Sequence, residues 1–216
     1  RNRISLSIQS RRAHPLDFKI YPNMIDLSQR IRESIAVKQA ILESETLLDT
    51  LRSTAQAMTT CMEKRGQILF CGNGGSAADA QHLAAEFSGR FYFDREPLNA
   101  EALHVNTSYL TAVGNDYSYD EVYARLVRAK GKPGDILVGI STSGNSGNVV
   151  KALDTARELG MITVGLTGES GGAMRERCDY LLNVPSSDTP RIQESHILLG
   201  HLLCEWTEEA LFKAGR

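Results

Sequence analysis

A chain of 216 residues with a formal net charge of −2 and an apolar fraction of 42% can bury one full core, and its balanced charge offers no global basic field for nucleic acid. No apolar run approaches the roughly 20 residues that a bilayer-spanning helix needs, so neither a membrane nor a nucleic acid is expected as a partner. Cys61, Cys71, Cys178 and Cys204 are widely spaced, lack the short pairings of metal or redox motifs, and read as reduced, mostly buried thiols of a cytoplasmic protein.

Residues 1–23 stand apart, with five Lys or Arg against the single acid Asp17, no methionine and no sustained periodicity. They lack the apolar segment of a secretory signal. The expectation is an appended or mis-started basic leader, preferred over a transit peptide or a nucleic-acid arm, with Met24 as the natural start and residues 24–216 as a single domain. His14 is discounted with that leader. From Ser28 the pattern turns helical: Ile31, Ile35, Ile41 and Leu42 follow one face, and Leu47, Leu51, Ala55, Met58 and Met62 follow a second run that ends near Gly66. Both helices are expected outside a sheet or against another subunit, with Met58 and Met62 filling core space.

Past Gly66, short apolar runs alternate with helical segments. Strands are expected at 67–71, 102–105, 136–140, 162–166 and 180–184, and helices at 77–88, 119–129, 146–159 and 190–212. That alternation implies an α/β fold, a doubly wound and mostly parallel five-stranded sheet flanked by helices on both faces. Ligands of such folds collect at the carboxyl ends of the strands.

Two Ser/Gly-rich turns fall at those ends, Gly72-Asn73-Gly74-Gly75-Ser76 and Ser141-Thr142-Ser143-Gly144-Asn145-Ser146. In the second, the hydroxyls of Ser141, Thr142, Ser143 and Ser146 can donate hydrogen bonds, and the amides opening the next helix favour an anion. A helix cap at Asn145 or Ser146 would require one such residue, not a cluster. The first turn also satisfies a relaxed dinucleotide fingerprint through Gly72, Gly74 and Ala77, with Asp94 in the place of a ribose-binding acid. Asp94, however, sits in the polar stretch 94–97 rather than at the end of a strand, and a dinucleotide leaves the second turn unexplained. Only the first turn is followed by metal-type residues: His82 and Glu86 share a helix face, and a distant helix carries Gln193, His196 and His201. Together these features point to a phosphorylated substrate held beside a metal. His196 reads as a hydrogen-bonded supporting residue, and His104 as structural or pocket-lining.

The runs 71–82, 113–117, 139–146 and 191–196, in this order, resemble the phosphoheptose isomerases of the sugar isomerase (SIS) fold. The resemblance extends from about Ile31 to Phe212. It implies one zinc ion per subunit held by His82, Glu86, Gln193 and His201, and a phosphate held by Ser76 and by Ser141, Thr142, Ser143 and Ser146. It further implies that Asn73, Gly74, Asp116, Thr142 and Gln193 contact substrate, and that the protein is a homotetramer with shared active sites, built partly on the two N-terminal helices. The stretch 101–107 departs from the family's small-residue and Thr-Asp pattern at the sugar end.

The implied reaction converts sedoheptulose 7-phosphate to D-glycero-D-manno-heptose 7-phosphate, the first step of bacterial heptose synthesis for lipopolysaccharide core, capsule or other surface glycans. Moving a proton between neighbouring carbons needs a base, stabilisation of an enediolate and a donor for oxygen. Glu86 suits the first role, His201 the last, and a divalent ion the second. A metal other than zinc, and departure of Glu86 from it during proton transfer, both stay open. Two alternatives are a non-catalytic homologue that binds a replication initiator, which would not need Glu86 and His201, and an isomerase of another phosphosugar.

Overall fold

The computed structural model describes residues 25–213, so the basic leader, Met24 and His14 lie outside the described residues. Two helices come first, α1 (Leu27–Glu43) and α2 (Glu45–Glu63). Ser44 ends one and begins the other: its amide donates to Ile41 O at 3.2 Å, and its hydroxyl accepts the Leu47 amide at 3.3 Å. The remainder runs β1 (Ile68–Gly72), α3 (Gly75–Ser88), β2 (Ala100–Ala102), α4 (Thr107–Asp116), α5 (Val122–Lys130), β3 (Ile136–Ile140), α6 (Gly147–Glu158), β4 (Ile162–Thr167), β5 (Tyr180–Asn183) and α7 (Thr189–Phe212).

All five strands are parallel, in the order β2-β1-β3-β4-β5. Strands buried on both faces read as unbroken apolar runs, and every residue of β1 and β3 is buried. Side chains of period two then divide between two cores. Ile68 and Phe70 face a cluster with Leu51, Met58, Leu83, Phe87, Leu199 and Leu203, contributed by α2, α3 and α7. Leu69 and Cys71 face the other side, where Val113, Val127, Val149 and Leu153 of α4, α5 and α6 pack. Chain order reverses between β1 and β3, and in a doubly wound sheet that reversal opens a crevice at the strand carboxyl ends. Both Ser/Gly turns sit there.

Two elements differ from expectation. The apolar run 102–105 is not the second strand. β2 begins earlier, with Ala100 opposite Ile68 and Ala102 opposite Phe70, and the chain turns once Leu103 has donated to Phe70 O. Burial explains the shift, because Ala102 and Leu103 are inside while Val105 is 46% exposed. The helix α4 had no counterpart in the sequence reading, since Thr107, Ser108, Gly114 and Asn115 dilute its apolar period; Asn106 starts it by accepting the Tyr109 amide at 3.0 Å. Among the described residues, no helix is long and apolar enough to cross a membrane.

Candidate active site

The first turn grows directly out of β1. Gly74 takes φ +56° and ψ −121°, a conformation that a residue with a Cβ rarely adopts, and nothing lies within 4 Å of where that Cβ would stand. Backbone is therefore open to a ligand at this point. Gly75 is tight instead: a Cβ there would stand 2.6 Å from Gln193 Nε2, so the absent side chain lets Gln193 of α7 lie across the turn. Ser76 is buried behind it, its amide bonded to Asn73 O at 3.0 Å.

Farther along α3, His82 and Glu86 present the same face, Nε2 3.4 Å from Oε1. Helix α7 packs against α3 and brings His201 to them, with the two Nε2 atoms of His82 and His201 3.0 Å apart. A hydrogen bond between imidazoles requires one Nε2 to carry a proton and the other to accept it. The two rings thus meet directly, and among the described residues no three His, Cys, Asp or Glu side chains form a ready-made metal cage. Asp79, one turn before His82, keeps a buried Oδ2 without a partner; burial pushes its carboxyl above the usual range, and His82 pulls it back.

At the end of β3, Ser141 is buried with its Oγ 2.9 Å from Ser146 Oγ and 3.5 Å from Ser143 Oγ. Ser146 occupies the N-cap position of α6 but makes no capping bond. Asn145 does not cap either, because its Oδ1 accepts the Ala173 amide at 2.8 Å. The result is a cluster of hydroxyls in front of a helix N-terminus that no side chain closes, an arrangement suited to a phosphate. Thr142 joins the turn through its carbonyl, which accepts the Gly168 amide at 2.9 Å.

A pair of amides ties the two turns together. Asn73 Nδ2 donates to Asn148 Oδ1 at 2.8 Å, Asn148 Nδ2 returns a bond to Asn73 Oδ1 at 3.0 Å, and the hydroxyls of Tyr123 and Tyr119 reach the same Oδ1 at 3.3 and 3.4 Å. Asn73 Oδ1 is thereby saturated, and its second N–H is the group left for a ligand. Asn148, Tyr119 and Tyr123 were missed in the sequence. The available signal was Asn148, an amide beside Val149 on the inward face of an amphipathic helix; Tyr123 reads simply as core.

Not every expected residue is brought in. Asp116 ends α4 exposed, accepting only from its neighbour Asn115 at 2.9 Å. His196 is fully buried between Gln193 and His201 on α7, its Nε2 bonded to Thr167 O at 3.1 Å and its Nδ1 without a partner. Burial pushes that imidazole down to about 4, so it is neutral at pH 7 and accords with a supporting role. Arg95 and Glu208, missed entirely, form a buried ion pair at 2.7 Å beside α3.

The SIS domain family matches residues 31–168. A phosphoheptose isomerase of Aneurinibacillus thermoaerophilus is 52% identical over 187 residues, 87% of this chain and 94% of that protein. One of Mycobacterium tuberculosis is 54% identical over 180 residues, 83% of this chain and 92% of that protein. Among solved structures, the phosphoheptose isomerase of Neisseria gonorrhoeae superposes with a TM-score of 0.79 at 47% identity, covering 84% of this chain and 96% of that one. Its counterpart from Francisella tularensis gives a TM-score of 0.81 at 37% identity over the same shares. Relatives so similar over nearly their whole length share more than a fold, and the chain belongs to the phosphoheptose isomerase family of SIS-domain enzymes.

Proposed function

We propose that this isomerase interconverts sedoheptulose 7-phosphate and D-glycero-D-manno-heptose 7-phosphate by acid–base proton transfer through an enediolate. The observation that carries the reading is the meeting of His82, Glu86 and His201 from two helices, on the same elements that place Gln193 across the first turn. The Glu86 carboxylate takes the proton from one carbon and returns it to its neighbour. His201 is assigned the proton exchange with the substrate oxygen, which it can make through Nε2 only while that nitrogen is free of any ion. Ser76, Ser141, Ser143 and Ser146 hold the phosphate, while Asn73, Gly74, Thr142 and Gln193 are assigned to the sugar; Asp116, exposed at the end of α4, is left out of that set.

The donor set fits a divalent ion. His82 Nε2 stands 3.0 Å from His201 Nε2 and 3.4 Å from Glu86 Oε1, so nitrogen and oxygen donors of the kind that bind zinc converge on His82. His82, Glu86, His201 and the neutral oxygen of Gln193 would hold it, the direct bond between the imidazoles opening to admit it. Such an ion supplies Lewis-acid stabilisation of charge on the sugar oxygens. We further assign the apolar residues that α1 leaves exposed, among them Leu27, Ile31, Ile35 and Leu42, to contacts between copies in a homotetramer. The enzyme would act in the cytoplasm and supply heptose for surface glycans.

The test is turnover of sedoheptulose 7-phosphate by purified protein before chelation, after it, and after zinc is restored. Loss and recovery of activity supports the reading. Full turnover in rigorously metal-free protein would remove the metal from it, and turnover only of a ketose phosphate of another chain length would remove the substrate.

A further inference from the structure

The loop between α3 and β2 is fixed by one carboxylate. Glu208 of α7 is 1% exposed, and its Oε1 accepts from Phe91 N at 2.9 Å and from Arg95 Nε at 2.7 Å. Its Oε2 accepts from Tyr92 N at 2.6 Å and Phe93 N at 3.1 Å. Four donors on two oxygens leave the carboxylate fully satisfied despite its burial. Arg95, 2% exposed, is used almost as fully: Nη1 donates to Phe87 O at 2.9 Å and Glu96 O at 3.0 Å, and Nη2 donates to Glu86 O at 3.0 Å. The guanidinium thus closes the last turn of α3 on carbonyls that have no partner within the helix.

Both ends of this network reach the site. Arg95 holds the peptide carbonyl of Glu86 itself. Glu208 pins three consecutive amides, and the first belongs to Phe91, whose ring centroid lies 5.6 Å from that of His201. Glu208 also follows His201 by seven residues on α7, two helical turns on the same side. A buried ion pair is weak evidence for stability by itself, since apolar residues of similar volume often serve a fold as well. An apolar pair, however, could neither hold the Glu86 carbonyl nor collect three amides.

We propose that Arg95 and Glu208 are positioning residues for the isomerisation, setting the Glu86 carboxylate and the His201 imidazole relative to each other across the junction of α3 and α7. The inference rests on the assignment of those two groups as base and acid.

The test compares Arg95→Lys, which keeps a charge for Glu208 but lacks the fork that reaches Glu86 O, with Glu208→Gln, which keeps shape but loses charge. Each is made alone and in a Glu86→Gln background. The expected result is a fall in kcat of about 10- to 100-fold, the usual scale for losing an outer partner of a reacting group, with KM within about two-fold and no further loss once Glu86 is already replaced. In metal-free protein labelled at histidine nitrogen, the His201 ring resonance, assigned with His201→Gln, should move in Glu208→Gln. Unchanged kcat and an unmoved resonance in variants that fold but melt earlier would make the pair structural and overturn the proposal. Should Arg95→Lys alone fold, its kcat and KM decide the matter. A Glu86→Gln enzyme as fast as the parent would instead sink the assignment of the base, while the His201 resonance still judges the pair.

Discussion

Replacing Glu86 with Gln keeps its size and an oxygen that can bind a cation, and removes the basic carboxylate. Fold and assembly should survive while isomerisation falls about 10²- to 10⁴-fold, the usual contribution of a general base. Exchange of the substrate's carbon-bound hydrogen with heavy water, followed beside product formation and metal content, checks this. Parent-like exchange in a variant whose metal content matches the parent's would remove Glu86 as the base. His196 makes a different prediction. Its ordinary value is 6.5, and burial takes it to about 4 in the fold. Between those values the unfolded chain binds a proton that the folded chain refuses, so stability declines as pH falls from about 6.5 to about 4 and then levels off. From pH 7 to pH 5 the loss from this residue is about 2 kcal/mol. Urea unfolding of metal-free His196→Gln at the two pH values should show a loss smaller by that amount, and equal losses would mean that the imidazole is not held neutral.

Each turn works as a unit with the strand and helix that it joins. Ser141→Ala combined with Ser143→Ala should raise KM about ten-fold or more, since hydrogen bonds to charged groups are worth about 1.5–3 kcal/mol each. Little change in kcat is expected, because a remote phosphate is bound alike in ground and transition states. Collapse of kcat at constant KM would place this turn at the reacting carbons instead. Both turns were legible in the sequence because their composition is local: glycine where the backbone must bend, hydroxyls clustered before a helix, and His82 and Glu86 one helical turn apart. The buried strands β1, β3 and β4 were legible as continuous apolar runs. What escaped depends on partners far along the chain. Residues 102–105 have the composition of a strand, yet pairing with β1 uses 100–102, so register against Ile68 and Phe70 overrode local propensity. Helix α4 hides its apolar period under polar residues. Asn148 and the Arg95–Glu208 pair acquire their roles from contacts 75 and 113 positions away, a separation that no local spacing rule reports.

At the scale of the whole molecule, α1 is the least self-sufficient element. Ile31 is 62% exposed, Ile35 59% and Leu42 63%, while Ile41 is its one buried residue. Isolated apolar residues on a surface need no explanation, but a row of them along a helix marks an interaction surface. Ile31→Asp with Ile35→Asp should leave the monomer fold intact and shift the proposed tetramer toward smaller species in light scattering. An unchanged mass in solution would clear this face of any part in assembly. The division of the interior by the sheet has its own consequence. Helix α3 packs into one core and α6 into the other, although the turns that lead into them stand side by side at the crevice. A phosphosugar lying between those turns would therefore touch both layers at once. At a ligand concentration about 100 times its Kd, the amides of α3 and α6 should both gain protection against hydrogen exchange equivalent to about 2.7 kcal/mol. Slowing confined to α6 would mean that the ligand rests on one half alone, and that the opposite layer breathes as freely with its cargo as without it.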